Sequence, residues 1–156
     1  MRLLNLYLEL ENLRFGRSLE YSIHVDEDIV PEYTRIPSIL IQPYVENALK
    51  HGLLHRKDSR SLRIEFTRAD EGQTLICVVT DNGVGRKRSA ELQTLRKVKS
   101  HKSFATSATR KRLELLNEGR ERMISININD LQSAQGDALG TQVVLQIPLQ
   151  NKHFSK

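Results

Sequence analysis

The segment from Ile39 to Leu54, ILIQPYVENALKHGLL, constrains the fold more than any other part of the chain. Four of its apolar residues recur at i, i+4, i+7 and i+8, the spacing of one helical face: Ile41, Val45, Ala48 and Leu49. Asn47, Lys50 and His51 share the opposite face. The segment therefore predicts a helix that packs on a sheet and presents an amide, an ammonium and an imidazole on its outer side.

That polar face has two interpretations. A neutral amide oxygen suits Mg²⁺ and a lysine offers a point charge to a phosphate, so Asn47 and Lys50 could bind an anionic ligand with its metal. The alternative is an ordinary amphipathic helix with a solvated outer face. Gly52 is expected in the left-handed conformation that stops a helix. Pro43 must either begin the regular helix or kink it.

The composition limits the class of protein. With 156 residues, of which 38% are hydrophobic and 28% charged, the chain fits one globular domain. The net charge of +5 invites a nucleic-acid interpretation, but an aromatic content of 5% without tryptophan leaves little for base stacking. We therefore expect no nucleic-acid partner. The single Cys77 lies in an apolar run, which predicts a buried thiol rather than a nucleophile.

Alternating and apolar runs predict five strands and two further helices. The strands are residues 19–25, 62–67, 74–80, 123–129 and 141–149, and the helices are residues 2–13 and 110–117. Turn-forming residues 70–73 join the second and third strands into a hairpin, whose apolar third strand should be central. Helix 2–13 has leucines on more than one side and no capping signal, which indicates the end of a longer helix with partners on several faces.

The sequence Asp81-Asn82-Gly83-Val84-Gly85 follows the apolar strand directly. A carboxylate at the end of a buried strand can accept a hydrogen bond from an exocyclic amine such as that of adenine. Glycines let the backbone approach a ligand closely. Asn-Gly turns are common, however, so a plain turn remains the alternative for this segment by itself.

The order of these segments resembles the ATP-binding domain of the gyrase, heat-shock chaperone, histidine kinase and MutL superfamily. The match is strongest to LytS-type sensor histidine kinases. It is carried by YLELENLRFG (Tyr7 to Gly16), IPSILIQPYVENALKHG (Ile36 to Gly52), DNGVG (Asp81 to Gly85) and GTQVVLQIP (Gly140 to Pro148). The resemblance implies an α/β (α+β) sandwich, in which helices cover one face of a mixed, mostly antiparallel sheet.

The resemblance also implies a role for residues that match the family's motifs. Asn47 would bind Mg²⁺ between the phosphates of ATP, with Lys50 and His51 close to the phosphates and ribose. At the other end, Asp81 would accept the adenine amino hydrogen. Three neighbours would shape the base pocket: Gly83 and Gly85 by leaving room, and Thr141 by lying beneath the adenine.

The basic segment from Arg86 to Ala108 would be a lid over the nucleotide. Its end, SFATSATRKRL, matches a family pattern in which Ser103, Thr109 and Arg110 belong to the ATP site. Ala105 stands where that pattern has glycine. A β-methyl group there hinders a positive φ and close approach to a phosphate, at a cost of roughly 1 kcal/mol if the strain is unavoidable.

Phosphoryl transfer depends on positioning and charge neutralisation more than on covalent chemistry by the protein. Hydrolytic members of the superfamily place a glutamate four residues before the metal-binding asparagine, and here Pro43 stands at that position. This favours a kinase over an ATPase. Glu46 could polarise an attacking imidazole, with Lys50 beside it, or it could simply pair with Lys50 at i, i+4.

The resemblance thus implies the catalytic domain, residues 15–150, of a sensor histidine kinase in two-component signalling. Residues 1–14 would end an upstream helix and residues 151–156 would form a flexible tail. The γ-phosphoryl group of ATP would pass to a histidine on an upstream dimerisation helix outside this chain. A response regulator, a homodimeric parent and a cytoplasmic position in a membrane-anchored bacterial protein are further implications. The alternative, suggested by Ala105, is a degenerate scaffold that acts by protein contact.

Overall fold

The computed structural model describes residues 2–30, 34, 36, 38–95 and 111–149. The predicted tail and most of the predicted lid, including Ser103, Ala105, Thr109 and Arg110, lie outside the described residues. None of the described helices is both long and apolar enough to cross a membrane.

Four helices and five strands make up the described fold. The helices are α1 (Arg2–Arg14), α2 (Ser38–Asn47), α3 (Gly85–Leu95) and α4 (residues 111–117). The strands are β1 (Leu19–Val25), β2 (Arg60–Ala69), β3 (Thr74–Asp81), β4 (Ser125–Gln132) and β5 (Ala138–Pro148). A π turn (Ala48–Gly52) and a 3₁₀ turn (Leu53–His55) continue α2 without a break.

The strands form one mixed sheet in the order β1-β2-β3-β5-β4. Strands β1 and β2 run parallel and the other three pairings are antiparallel. The predicted β2–β3 hairpin is confirmed, with Asp70, Glu71 and Gly72 all in the left-handed region at its turn. The nearly continuous apolar strand β3 is central, as predicted.

Helices cover one face of this sheet, and the core lies between the two layers. The predicted apolar face of α2 and its extension is buried, with exposures of 7% or less: Ile41, Val45, Ala48 and Leu49. Helix α1 buries Leu8 completely but leaves Leu6 and Leu10 more than half exposed. On the sheet side, Leu62, Ile64 and Phe66 of β2 and Leu75, Cys77 and Val79 of β3 face the helices. The predicted fold class and the buried Cys77 thiol are confirmed.

Two local predictions were wrong. Gly52 has φ −91° and not a left-handed conformation, because the chain does not stop there but continues into the 3₁₀ turn. Leu53 donates its backbone N–H to the carbonyls of Ala48 and Leu49, which closes the π turn. Of the two alternatives for Pro43, the start of the helix is excluded because Pro43 lies inside α2, and a kink at this residue stays a prediction. Finally, β4 and β5 extend through residues that we assigned to a polar turn, because backbone pairing continues across Asp130.

Candidate functional site

The carboxylate of Asp81 is buried at the end of β3, with 6% of the residue exposed. Its Oδ1 accepts a hydrogen bond from the backbone N–H of Gly83 at 2.8 Å, and the backbone N–H of Thr141 on β5 also bonds to it. Burial raises the pKa of Asp81 to about 6, because desolvation disfavours the charged form, while the two backbone donors act in the opposite direction. Asp81 is therefore a hydrogen-bond acceptor held inside the protein.

Glycine backbones crowd this carboxylate. A Cβ atom on Gly52 would lie 2.8 Å from Asp81 Oδ1, and one on Gly83 would lie 2.4 Å from Gly52 Cα. On β5, a Cβ on Gly140 would lie only 1.9 Å from the carbonyl oxygen of Asp81. The absence of three side chains thus lets the end of the π turn, the loop after β3 and strand β5 meet around one carboxylate.

Asn82 anchors the loop that follows Asp81. Its Oδ1 accepts from the backbone N–H of Ser61 at 2.8 Å and its Nδ2 donates to the carbonyl of Ser59 at 3.1 Å. Its own carbonyl accepts a hydrogen bond from Arg56. These bonds attach the loop to the start of β2, so Asn82 has a structural role that we did not predict.

Helix α3 begins at Gly85, whose φ of +77° favours glycine. The guanidinium of Arg86 then binds the carboxylate of Asp130 on β4 through two hydrogen bonds of 2.7 Å. Ser89, one turn further, is 4% exposed. The first turn of the predicted lid is therefore fixed to the sheet edge, and Arg86 is engaged with Asp130 rather than directed to a ligand.

The polar face of α2 is exposed at Asn47, Lys50 and His51, as predicted. Lys50 Nζ donates to Glu46 Oε2 at 2.9 Å, and Gln42 Nε2 donates to Glu46 Oε1 at 3.0 Å. The hydrogen bond from Lys50 lowers the pKa of Glu46. The pairing of Glu46 with Lys50 therefore forms, which leaves the catalytic alternative for Glu46 a prediction.

The structure brings most of the predicted site residues into two neighbouring groups. Asp81, Gly83, Gly85 and Thr141 meet at the end of β3, whereas Asn47, Lys50 and His51 lie on α2 and its π turn. Gly52 connects the two groups, since Val84 donates its backbone N–H to the Gly52 carbonyl at 3.3 Å. Sequence reasoning assigned no site role to Gly52 or Gly140, although both lie inside motifs that it used.

Sequence relatives of this chain are sensor kinases. No family model matches it. The chain is 30% identical over 144 residues to the sensor protein kinase HptS of Staphylococcus aureus strain bovine RF122 / ET3-1, and the match covers 92% of the chain. HptS of strain USA300 is 31% identical over 100 residues, or 64% of the chain. The chain spans 26% and 18% of these two relatives, respectively.

Solved structures that share this fold are also histidine kinases. A mycobacterial sensor histidine kinase, MprB, superimposes with a TM-score of 0.53 at 19% identity, covering 90% of each chain. The blue-light activated histidine kinase of Erythrobacter litoralis EL346 gives a TM-score of 0.60 at 18% identity, covering 96% of this chain and 41% of that one. Together, the sequence relatives and the shared fold support a sensor histidine kinase ATP-binding domain. Within these kinases, the LytS subtype stays a prediction.

Proposed function

We propose that this histidine kinase domain binds Mg²⁺–ATP between the β3 end and the polar face of α2, and presents it for phosphoryl transfer to a histidine. The observation that carries the proposal is the Asp81 carboxylate, buried among glycine backbones beside an exposed amide and ammonium. A buried carboxylate without a cationic partner destabilises a domain unless a ligand uses it. No cationic side chain within the described residues contributes to its pKa shift.

Residues at the end of β3 would recognise the adenine. Asp81 would accept the exocyclic amino hydrogen of the base, for which an ionised or partly ionised acceptor is suited. Gly83 and Gly85 would form the backbone edge of the base pocket, although the missing side chain at Gly83 makes room first for the backbone of Gly52. Thr141 stands opposite Asp81 in the β3–β5 register, which supports its predicted position beneath the base.

The exposed face of α2 and the π turn would bind the phosphates. Asn47 would hold the metal through its amide oxygen, and Lys50 and His51 would lie against the phosphates and ribose. When bound, ATP supplies the electrophilic phosphoryl group and Mg²⁺ offsets its negative charge. Ser103, Thr109 and Arg110, which lie outside the described residues, complete the proposal on the lid side.

Glu46 is the proposed catalytic carboxylate, with Lys50 as its neighbour. Its two oxygens are occupied by Gln42 and Lys50, which fix the orientation of the carboxylate. An oriented carboxylate next to Asn47 could polarise an incoming imidazole. We include this role because the lowered pKa keeps Glu46 ionised near neutral pH.

The partners and location follow from the histidine kinase proposal. The phosphoacceptor would be a histidine on an upstream dimerisation helix of the same protein, and a response regulator would then receive the phosphoryl group. The parent would be a homodimer, with this domain on the cytoplasmic side of a membrane-anchored bacterial protein. These are properties of a longer protein, since the chain spans 26% of its relative HptS.

An ATP titration tests the nucleotide-binding part directly. Calorimetry with Mg²⁺ and with EDTA should show saturable binding that the metal strengthens. Asp81→Asn should weaken this binding, and Asp28→Asn, a matched change at an exposed carboxylate after β1, should not. A folded wild-type domain that does not bind ATP would contradict the proposal and favour the degenerate scaffold. Transfer is tested separately, by incubating the longer protein with γ-labelled ATP and measuring acid-labile label.

A further inference from the structure

A cavity lies at the opposite end of strand β3 from Asp81. It has a volume of about 280 Å³ and lies between α1, α2 and the sheet. Its walls are mainly apolar, and include Leu4 of α1, Ile41 of α2, Phe66 of β2 and Leu75 of β3. Leu75 stands near the start of β3 and Asp81 at its end, so roughly 20 Å of strand separate the two places. The cavity is therefore distinct from the proposed nucleotide site.

Two hydroxyl groups in this apolar cavity are buried without a hydrogen-bond partner in the described part of the chain. They belong to Tyr7 of α1 and Thr34, and both residues line the cavity. Buried polar atoms are nearly always paired in folded proteins, because an unpaired one costs about 1–3 kcal/mol. A water or a polar group of a ligand in the cavity would supply the missing partner, and the apolar walls around the two hydroxyls suit a ligand that is otherwise apolar.

The electrostatics of the cavity select the charge of that ligand. The pKa of Tyr7 is raised to about 12, first by desolvation and then by the negative charges of Glu11 and Glu46, while Arg14 acts in the opposite direction. The phenol is thus protonated near neutral pH, and the two acids are themselves paired with Arg14 and Lys50. None of the described residues that line the cavity is cationic, so an anionic head group would lose its hydration without gaining a partner.

We propose that this cavity binds a neutral, ring-sized molecule with an apolar body and one hydrogen-bonding oxygen, which pairs with the hydroxyls of Tyr7 and Thr34. The volume exceeds that of a 150 Å³ cavity known to take benzene, so a fused two-ring body is accommodated. The apolar walls provide affinity by burial, and the hydroxyl pair provides the preference for an oxygen.

The cavity shares one side chain with the proposed catalytic group. Gln42 lines the cavity and also donates to Glu46, which in turn accepts from Lys50. A ligand that displaces Gln42 would change how Glu46 and Lys50 are held. This regulatory consequence rests on the proposed kinase function, whereas ligand binding itself does not.

The binding test uses three probes of one shape: 2-naphthol, naphthalene and 2-naphthoate. Calorimetry without nucleotide should show one saturable site for 2-naphthol, about three- to tenfold weaker binding of naphthalene, and none of the anion. In Tyr7→Phe the preference for 2-naphthol over naphthalene should decrease, because only the Thr34 hydroxyl remains to pair with the probe. Leu4→Trp should fill the cavity and abolish binding, while Leu10→Trp, on the exposed side of the same helix, should not.

Several results would overturn the site. The first is that the folded domain shows no saturable binding of 2-naphthol. The others are equal binding of 2-naphthol to wild type and Leu4→Trp, and a preference for 2-naphthol over naphthalene that is unchanged in Tyr7→Phe. The Tyr7→Phe variant removes one oxygen and keeps the ring, so it decides the question even if Leu4→Trp does not fold. The regulatory consequence is tested by the rate of phosphoryl transfer in the longer protein with and without 2-naphthol. An unchanged rate at saturating probe rejects the coupling through Gln42 but not the site.

Discussion

The two ends of the proposed nucleotide site are built by opposite means. At the end of β3, a single carboxylate is buried and held by backbone N–H groups, and three glycine backbones approach it closely. On α2 and the π turn, long side chains stand in solvent, and Lys50 is 49% exposed while it pairs with Glu46. At the end of β3 the contacts are made by rigid backbone groups, whereas on α2 they are made by charged side chains that can change rotamer.

This difference separates recognition from charge neutralisation. A buried, preorganised acceptor discriminates between ligands, because an incorrect ligand leaves it unpaired. It also costs stability in the absence of ligand, since the raised pKa of Asp81 reflects a desolvated charge. Exposed side chains cost little stability but also discriminate little. We therefore expect substitutions at the β3 end to have the larger effects.

Gly140→Ala should have the largest effect, on folding itself. The new Cβ would lie 1.9 Å from the Asp81 carbonyl oxygen, and φ at this residue is +134°. Because the neighbour is backbone on the central strand, we expect a loss of about 3 kcal/mol or more in the free energy of unfolding. Chemical denaturation measures it.

Gly136→Ala provides the control for Gly140→Ala. Gly136 also has a positive φ, +88°, but a Cβ there would meet nothing within 4 Å. The free energy of unfolding of Gly136→Ala should fall by about 1 kcal/mol, which is the cost of a positive φ without a steric clash. Equal losses in the two variants would mean that the close packing at Asp81 is not what constrains Gly140.

Asp81→Asn should have two opposed effects. The amide can turn a donor towards the base, which should weaken ATP binding by about 5- to 150-fold, equivalent to ~1–3 kcal/mol. The variant no longer buries an ionised group, so its free energy of unfolding at neutral pH should rise, by at most about 3 kcal/mol. Loss of the backbone bond from Thr141 reduces that gain. ATP affinity equal to wild type in the folded variant would exclude the adenine role.

Much of this arrangement was predictable because it is periodic. The buried face of α2 follows from the spacing of its apolar residues, and the β2–β3 hairpin follows from two strand-like runs joined by turn-forming residues. Both are present as predicted. The position of Asp81 at the end of a central strand follows from the apolar run before it. These features depend on residues close together in the chain.

The sequence could not reveal features that depend on distant partners. Gly52 is needed because Gly83 and Asp81 approach it from another element, whereas local sequence only indicates a glycine near a helix end. The pairing of Arg86 with Asp130 likewise depends on where α3 meets β4. A glycine's local context does not distinguish the need for a positive φ from the need for space.

Lowering the pH should weaken binding at the β3 end. The pKa of Asp81 is about 6, so the ionised fraction falls about tenfold between pH 7 and pH 5, and adenosine affinity should fall by about the same factor. Adenosine is the suitable probe because it has no titrating phosphate. Affinity that does not change over this range would contradict an ionised acceptor.

Stability should change in the opposite direction over this pH range. The folded-state pKa lies above the ordinary value of 3.8 for an aspartate, so ionisation of Asp81 destabilises the folded state as pH rises through about 4 to 6. The stability advantage of Asp81→Asn should therefore be largest above pH 6 and disappear near pH 4. Urea unfolding of both proteins at several pH values checks the sign.

Asn47→Ala tests the exposed end of the site. The amide is solvent-exposed, so the free energy of unfolding should change little. The strengthening of ATP binding by Mg²⁺ should be lost, while binding in EDTA should be unchanged. Calorimetry in both buffers measures this, and a persistent Mg²⁺ enhancement would mean that Asn47 is not the metal ligand.

Glu46→Gln should have the smallest effect on stability and still decide between the two roles of Glu46. The pair with Lys50 is partly exposed, with side-chain exposures of 49% and 32%, so its loss should cost only a few tenths of a kcal/mol. A glutamine can still accept from Lys50 but cannot polarise an imidazole as a carboxylate does. If Glu46 is catalytic, phosphoryl transfer in the longer protein should fall at least tenfold while ATP affinity stays the same. If Glu46 only pairs with Lys50, both should stay within about twofold of wild type, and the exposed end of the site would then act through charge alone.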